Sequence, residues 1–444
     1  MHATITRAAP LHGVVNVPTD KAICHRAALL SALAHGQTVI APWSAARDCR
    51  RTLEAMRQLG ALIEPHEDGI RVQASGPEGW HQAADPIDCG ESGTTMRLLC
   101  GLLAGQPFRS QLTAAPSLSR RPMRRIVEPL SRMGARITGH HQAAGPSDDI
   151  FPPLTIDGRK PLTPVTYRMP VPSAQVKSAI LLAALSASGP TTVFEPSLTR
   201  DHTERLLARL GVAIRSDKGT ITLTPPARRI EAPGRLTIPG DFSSAAFFVV
   251  AACVVPRSAL TLRRVSLNPT RAHLLDVLRR MGARIQVTQE ADEWEPHGTI
   301  QVAASALRGT EISADEAPLM IDELPILMVA AAAAEGDTTF SGLAELRVKE
   351  TDRIHSMVTG LQRLGVRISQ RGAADVVVHG GRIRGGAVES FGDHRTAMSL
   401  AVAGLVAEEP VRIAGAECVD KSFGTFFNLL AGLAGASAVR TAAN

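Results

Sequence analysis

The stretch Leu278-Arg-Arg-Met-Gly-Ala-Arg-Ile285 carries the pattern that decides the fold, because versions of it recur along the whole chain. Each version predicts an amphipathic helix that ends at a glycine, since glycine accepts the left-handed turn that closes a helix, and then a strand. The glycines of the clear copies are 74, 77, 71 and 83 residues apart, and a weaker sixth copy ends at Gly435. The five clear copies have Gly60, Gly134, Gly211, Gly282 and Gly365. Six units of about 74 residues fill the 444 residues of the chain.

Repeats of this length are supersecondary blocks, and six of them suit two domains of three, so we predict an α/β protein. The expected break is Leu236-Thr-Ile-Pro-Gly-Asp241, where a Pro-Gly turn follows a strand-like segment. The second crossing is expected near Val17-Pro18, before a helix that begins at Asp20. We therefore predict a first domain over residues 20–238 and a second domain from residues 1–19 and 239–444.

The composition favours a globular enzyme or binding protein with an anionic partner. The chain is 44% hydrophobic and carries a net charge of +6, which suits phosphorylated metabolites, nucleic acid or a membrane surface. Only 3% of the residues are aromatic, which argues against base-stacking platforms and membrane-interface belts. The six cysteines form no CxxC pair and the N-terminus lacks an apolar signal core, so we expect a cytoplasmic protein with reduced thiols.

Three predicted helix starts combine a capping residue with cations or free backbone N–H groups. Asp20 can cap a helix from which Lys21 and Arg26 project, and similar starts occur at Gly90-Glu-Ser-Gly93 and Pro172-Ser-Ala-Gln175. Other cations lie in the segments 120–125, 199–202, 392–395 and 420–422. Because arginine matches phosphate and carboxylate geometry, this pattern predicts a ligand with several negative groups. Ordinary capped helices and scattered surface charges are the alternatives.

The segment Glu345-Leu-Arg-Val-Lys-Glu-Thr-Asp-Arg-Ile354 contains six ionisable side chains. If it is helical, Lys349 and Arg353 lie four residues apart on one face and repel each other unless an anion lies between them. The alternative is a solvated, salt-bridged helix face. The apolar run from Leu324 to Ala334 predicts core, and Asp322 just before it could cap a helix.

In their order along the chain, these segments resemble those of the 5-enolpyruvylshikimate-3-phosphate synthase family, over almost the whole length. The matching segments are Asp20-Lys21, His25-Arg26, Ser92-Gly-Thr-Thr-Met-Arg97, Arg121-Pro-Met123, Ser173-Ala-Gln-Val-Lys-Ser178, Arg200-Asp-His-Thr-Glu204, Gly240-Asp-Phe-Ser-Ser-Ala245, Ile321-Asp-Glu323, Arg347-Val-Lys-Glu-Thr-Asp-Arg353 and Asp393-His-Arg395. The resemblance implies the enolpyruvyl transferase fold, two domains of three βαβαββ units each, with the active site in the cleft between them. It also implies transfer of the enolpyruvyl group of phosphoenolpyruvate to the 5-hydroxyl of shikimate 3-phosphate, with release of phosphate.

The resemblance further implies a role for individual residues. Asp322 would accept the proton of the 5-hydroxyl, Glu350 would handle the proton on the phosphoenolpyruvate methylene, and Lys21 would touch both substrates. The residues implied for shikimate 3-phosphate are Lys21, Ala22, Arg26, Ser173, Ala174, Gln175, Arg200, Asp322 and Lys349. Those implied for phosphoenolpyruvate are Lys21, Gly93, Arg121, Arg353, Arg395 and Lys421. No metal, organic cofactor, nucleic acid or membrane is implied, and we expect a monomer.

The chain departs from the family pattern at a few positions. Ala22 stands where a serine is usual, Glu91 where an asparagine is common, Cys24 where a small hydroxyl residue is expected, and Ala114-Ala115 where Gly-Asp is frequent. Two other functions stay open at this point: enolpyruvyl transfer to a UDP-linked amino sugar, and RNA binding or RNA-end modification by a related fold. The basic stretch 119–125 lacks the reactive cysteine of the amino-sugar enzymes, and the scarcity of aromatic residues counts against RNA.

Overall fold

The computed structural model describes residues 1–141, 149–290 and 294–442. The chain forms two compact units. We call Thr19–Ile238 the continuous unit, and Met1–Pro18 together with Pro239–Asn444 the split unit.

Strands and helices alternate along both units. The strands are β1 (His2–Ile5), β2 (His12–Val15), β3 (His35–Ala41), β4 (Leu62–His66), β5 (Gly69–Ser75), β6 (Ile87–Asp88), β7 (Arg109–Thr113), β8 (Arg136–His140), β9 (Phe151–Asp157), β10 (Thr166–Arg168), β11 (Thr191–Phe194), β12 (Ile214–Asp217), β13 (Thr220–Leu223), β14 (Gly234–Thr237), β15 (Ala259–Ser266), β16 (Arg284–Gln289), β17 (His297–Ala303), β18 (Glu311–Ile312), β19 (Asp337–Phe340), β20 (Arg367–Arg371), β21 (Asp375–His379), β22 (Gly386–Glu389), β23 (Val411–Ala414) and β24 (Val439–Ala442). The α-helices are α1 (Lys21–Leu33), α2 (Arg47–Gln58), α3 (Gly93–Ala104), α4 (Pro116–Ser119), α5 (Arg124–Arg132), α6 (Ala174–Ala184), α7 (His202–Arg209), α8 (Phe242–Val254), α9 (Leu274–Arg280), α10 (Leu324–Ala332), α11 (Arg353–Arg363), α12 (His394–Gly404) and α13 (Phe426–Ala434).

The described strands form six four-stranded sheets, three in each unit, and each sheet repeats one plan. In the sheet of order β6-β7-β9-β8, the first two strands are parallel with α3 between them in the chain, and β9 is antiparallel to both β7 and β8. The sheets β10-β11-β13-β12 and β18-β19-β21-β20 have the same plan. This is the predicted βαβαββ repeat, and the predicted fold class is confirmed.

The other three repeats each take one strand from a distant part of the chain. In the continuous unit, β14 pairs parallel with β3, with Gly234 opposite Thr38. In the split unit, β2 pairs parallel with β15, and β1 lies between β23 and β24. The blocks of about 74 residues predicted from the glycine spacing are therefore not all contiguous, because the chain leaves the split unit after β2 and returns only after β14.

The glycines of the repeated pattern end helices as predicted. The φ angles are +112° at Gly60, +102° at Gly134, +77° at Gly211, +97° at Gly282, +78° at Gly365 and +91° at Gly435. Each glycine follows a helix and precedes a strand. Positive φ is costly for residues with a Cβ, so these positions require glycine and fix where every repeat turns from helix to strand.

The core of each unit is built around helices that are buried along most of their length. In the split unit, α8, α10 and α12 pack on one another, and every residue of α10 is buried, which confirms that the run from Leu324 forms core. In the continuous unit, α1, α3 and α6 are similarly buried. Within the ranges that the structure covers, no helix is long and apolar enough to cross a membrane.

Candidate active site

The start of α1 carries the first group of predicted site residues. Asp20 caps the helix as predicted, because its Oδ1 accepts a hydrogen bond from the Ile23 N–H at 3.0 Å. Lys21 is the first helical residue, and its Nζ lies 2.8 Å from Oδ2 of Asp48 on α2. Asp48 was not predicted, since nothing in the charged run around it indicates which side chain faces Lys21. The ion pair fixes the Lys21 ammonium beside the start of the helix.

The start of α3 brings two further predicted residues together. Ser92 caps the helix by accepting a hydrogen bond from the Thr95 N–H at 3.1 Å, and Gly93 begins the helix. A Cβ at Gly93 would lie only 3.3 Å from Nη1 of Arg121, so the guanidinium approaches the helix end where glycine leaves room. The exposed Glu91 carboxylate accepts a hydrogen bond from Oγ of Ser117 at 2.8 Å. Glu91, which stands where an asparagine is common, is therefore hydrogen-bonded to the short helix α4.

The start of α6 is tied to the start of α3. Ser173 caps α6 by accepting a hydrogen bond from the Val176 N–H at 3.4 Å. Gln175 accepts a hydrogen bond from Nη1 of Arg97 at 2.5 Å and donates one from Nε2 to Oγ1 of Thr94 at 2.9 Å. Arg97 and Thr94 were not predicted as site residues, although both belong to the Ser92–Arg97 motif. Two helix N-termini, which attract anions, are thus held side by side.

Arg26 lies among three helices of the continuous unit and is only 4% exposed. Its Nε donates to Oγ1 of Thr203 on α7 at 2.7 Å, its Nη1 to the Ala22 carbonyl of α1 at 2.9 Å, and its Nη2 to Oγ of Ser178 on α6 at 3.0 Å. Arg200 lies in the loop between β11 and α7, two residues before α7 begins. The structure therefore ties Arg26 of α1 to both α6 and α7, and Arg200 lies just before α7.

In the split unit, Arg353 is the centre of a carboxylate cluster and is 1% exposed. Its Nε donates to Asp393 at 2.8 Å, its Nη1 to Asp322 at 2.9 Å and its Nη2 to Glu350 at 2.5 Å. Burial alone would lower the pKa of Arg353, but the three carboxylates raise it above its usual value. The two predicted catalytic carboxylates thus share one guanidinium. The role of Asp393 was not predicted, although it belongs to the quoted Asp393-His-Arg395 motif.

Three further predicted cations, Arg395, Lys349 and Lys421, also belong to the split unit. Nε of Arg395 lies 3.5 Å from Oδ1 of Asp322, and Nη1 donates to the Asp322 carbonyl at 3.3 Å. Nζ of Lys349 lies 3.8 Å from Glu345, and burial lowers the pKa of Lys349 to about 8, although Asp322 and Glu345 oppose this shift. Lys421 ends a 3-10 turn, Ala416–Lys421, that packs on α12.

The segment 345–354 does not form the single helix considered for it. Leu343–Val348 is a 3-10 turn, Lys349 is extended, and α11 begins only at Arg353. The reason is the Asp352 carboxylate, which accepts a hydrogen bond from the His355 N–H at 3.0 Å and so caps a new helix. Lys349 and Arg353 therefore do not share a helix face. The alternative of a solvated face is also wrong for Arg353, which is buried.

The capping role considered for Asp322 is likewise wrong. The residue before α10 is Glu323, which makes no side-chain cap bond, while the Asp322 carboxylate is bonded to Arg353. The strong charge-assisted bond to a buried guanidinium takes the place of a weaker backbone cap. Among the described residues, no group of three or more His, Cys, Asp or Glu side chains is placed to hold a metal ion.

Comparison with known proteins gives a consistent result. The family model described as EPSP synthase (3-phosphoshikimate 1-carboxyvinyltransferase) matches residues 5–430. The 3-phosphoshikimate 1-carboxyvinyltransferase of Halorhodospira halophila is 49% identical over 423 residues, which cover 95% of this chain and 93% of the relative. The protein of the same name from Coxiella burnetii is 46% identical over 422 residues, 94% of each chain.

Solved structures agree with the sequence relatives. An EPSP synthase from Acinetobacter baumannii has a TM-score of 0.86 and 38% identity, with 100% of both chains covered. The enolpyruvyl transferase NikO from Streptomyces tendae shares the fold, with a TM-score of 0.78 at 19% identity, over 100% of this chain and 99% of that one.

Proposed function

Because the chain belongs to the EPSP synthase family, we propose that its Asp322 and Glu350 carboxylates and its predicted lysine and arginine side chains perform that family's chemistry. The enzyme transfers the enolpyruvyl group of phosphoenolpyruvate to the 5-hydroxyl of shikimate 3-phosphate and releases phosphate, a step of chorismate and aromatic amino acid biosynthesis. The comparisons favour this reaction over the amino-sugar and RNA alternatives. The residue roles, and a common site for residues of both units, are the proposal.

Asp322 is the proposed base and Glu350 the proposed acid. Asp322 accepts the proton of the 5-hydroxyl, whose oxygen attacks the enolpyruvyl carbon, while Glu350 delivers a proton to the methylene. Phosphate then leaves and Glu350 takes a proton back from the new methyl group, which restores the double bond, while the proton held by Asp322 passes to the departing phosphate. The supporting observation is that both carboxylates contact the buried Arg353, at 2.9 and 2.5 Å. Both members of the proposed acid–base pair thus lie beside one guanidinium, and neighbouring charges can set the proton affinities of two carboxylates apart.

The proposed phosphoenolpyruvate residues supply five cations and one glycine. Arg353 and Arg395 hold the carboxylate, and Arg121, Lys421 and the Gly93 backbone hold the phosphate, with Lys21 touching both substrates. All three nitrogens of Arg353 already donate to carboxylates, so the substrate carboxylate would share the five N–H donors of this guanidinium with them. Glycine at position 93 leaves room for the Arg121 guanidinium, since any larger residue would crowd Nη1 of Arg121. This supports the phosphate assignment.

Three of the proposed shikimate 3-phosphate residues lie at the start of α6. Ser173, Ala174 and Gln175 bring hydroxyl, backbone and amide donors to a helix N-terminus, which suits a phosphate. Arg200 adds a cation, Arg26 is assigned to the carboxylate, and Lys349 and Asp322 to the hydroxyl side. Ala22 contributes only backbone and a methyl group. Action as a monomer in the cytoplasm stays a prediction from the sequence.

Phosphate release is the direct test. Purified protein should release inorganic phosphate from phosphoenolpyruvate when shikimate 3-phosphate is present, and not when it is absent or replaced by a UDP-linked amino sugar. Folded protein that releases no phosphate at saturating shikimate 3-phosphate would contradict the function. RNA binding that weakens steeply with salt, without phosphate release, would favour the RNA alternative instead.

A further inference from the structure

A buried charge cluster lies beside the proposed shikimate 3-phosphate residues but contains none of them. Its centre is Lys177 on α6, which is 1% exposed. Nζ of Lys177 lies 2.7 Å from Oε1 of Glu204 on α7 and 3.0 Å from Oε2 of Glu195, which follows β11. Buried ion clusters often add little to stability, because desolvation offsets their attraction. The residues that the cluster contacts therefore say more about its role than its contribution to stability does.

The cluster holds the loop that carries Arg200. Nζ of Lys177 lies 3.3 Å from the carbonyl oxygen of Thr199, to which it donates. Oγ1 of Thr199 donates to Oε2 of Glu195 at 2.7 Å. The residue immediately before Arg200 is thus fixed through both its main chain and its side chain. These bonds attach the loop between β11 and α7 to α6.

Lys177 also lies one helical turn after the start of α6, which forms the other part of the proposed phosphate site. Ser173, Ala174 and Gln175 begin α6, and Lys177 is the fourth residue of that helix. One side chain therefore links the helix start to the arginine loop. We propose that Lys177 is a positioning residue for shikimate 3-phosphate, which sets the distance between Arg200 and the N-terminus of α6. This inference rests on the function proposed above.

The charges of the cluster suit ion pairs that persist at neutral pH. Burial alone would lower the pKa of Lys177, but Glu204 and Glu195 raise it, so the ammonium stays charged at neutral pH. Burial raises the pKa of Glu204, Lys177 offsets this only in part, and the charge of Asp201 adds to the increase. Removing the lysine leaves two buried carboxylates facing each other, which threatens folding. A gentler variant is therefore needed alongside Lys177→Met.

Thr199→Val is that variant, because it keeps the shape of the loop residue and removes only the hydrogen bond to Glu195. The matched control is Thr192→Val on β11, whose Oγ1 pairs with Oγ1 of Thr222 at 3.0 Å, away from the loop. Shikimate 3-phosphate affinity is measured by calorimetry, and kcat and both KM values by phosphate release. We expect shikimate 3-phosphate to bind about 10- to 100-fold more weakly to Lys177→Met and about 3- to 10-fold more weakly to Thr199→Val. The kcat and the KM for phosphoenolpyruvate should change less than about twofold, and Thr192→Val should match the wild type.

A double-mutant cycle separates positioning from a general structural role. If Lys177 acts through Arg200, adding Lys177→Met or Thr199→Val to Arg200→Ala should weaken binding no further. Fully additive losses, or wild-type affinity in Thr199→Val, would overturn the inference, and this holds even where Lys177→Met fails to fold. Wild-type enzyme that binds no shikimate 3-phosphate would overturn the proposed function itself, and the inference with it.

Discussion

Arg353 sets the electrostatic state of the site before any substrate is present. Three carboxylates surround its guanidinium, and Lys21 is similarly paired with Asp48. Two of the cations from which a substrate anion is expected to receive hydrogen bonds are therefore already paired with carboxylates of the protein. A substrate carboxylate would compete with Asp322 and Glu350 for the N–H donors of Arg353.

The proposed base can be tested without disturbing this cluster. Asp322→Asn keeps an oxygen that can accept the hydrogen bond from Arg353 but cannot take a proton. We expect kcat to fall about 10²- to 10⁴-fold, the usual contribution of general acid–base catalysis, with an unchanged melting temperature. Asp276→Asn, on an exposed aspartate paired with Arg279, is the control and should keep wild-type turnover. Wild-type turnover in Asp322→Asn would refute the role.

Lys349 predicts how the enzyme responds to alkaline pH. Since burial lowers its pKa to about 8, the ammonium is charged below this pH and loses its charge as the pH rises through it. A neutral Lys349 attracts an anionic substrate less, so kcat/KM for shikimate 3-phosphate should decline above about pH 8. Lys349→Arg stays charged throughout and should move the decline to higher pH. Identical profiles for both enzymes would assign the decline to another group.

At the scale of elements, sequence patterns predicted the parts of the fold that depend on single residues. Glycines that need a positive φ marked the helix ends, and Asp20, Ser92 and Ser173 marked the helix starts, because each requirement is local. The pairing of β1, β2 and β14 with distant strands has no local signal, since it depends on where the chain crosses between units. The contacts of Asp48 and Asp393 with site cations were missed because they too join residues that are distant along the chain.

The close crossing of α3 and α6 gives a prediction for an element. A Cβ at Gly101 on α3 would lie 2.2 Å from the Ala179 carbonyl oxygen of α6, and backbone cannot move aside as a flexible side chain can. Gly101→Ala should therefore destabilise the protein by about 1–3 kcal/mol. Gly432→Ala, inside α13 with no neighbour within 4 Å, should instead stabilise it by about 0.5–1 kcal/mol. Urea unfolding midpoints measure both, and equal midpoints for the two variants would contradict the crossing.

At the scale of the whole molecule, the repeat period predicted six α/β units and the ordered motifs predicted the family, because both are spread over the entire chain. The residues of the proposed shikimate 3-phosphate set come from both units: Lys21 and Arg200 from the continuous unit, Asp322 and Lys349 from the split unit. A ligand shifts a conformational equilibrium only by binding one state better than another. A ligand that contacts both units should therefore favour a closed state, whereas one that contacts a single unit should not.

Small-angle scattering can test this expectation. Adding shikimate 3-phosphate and phosphoenolpyruvate to the slow variant Asp322→Asn should reduce the radius of gyration, because the substrates are proposed to contact residues of both units. Arg200→Ala combined with Asp322→Asn should respond to the two substrates only at higher concentrations. We therefore expect binding of substrate by residues of both units, rather than relief of repulsion between cations, to drive closure. An unchanged radius at saturating substrates would contradict that account.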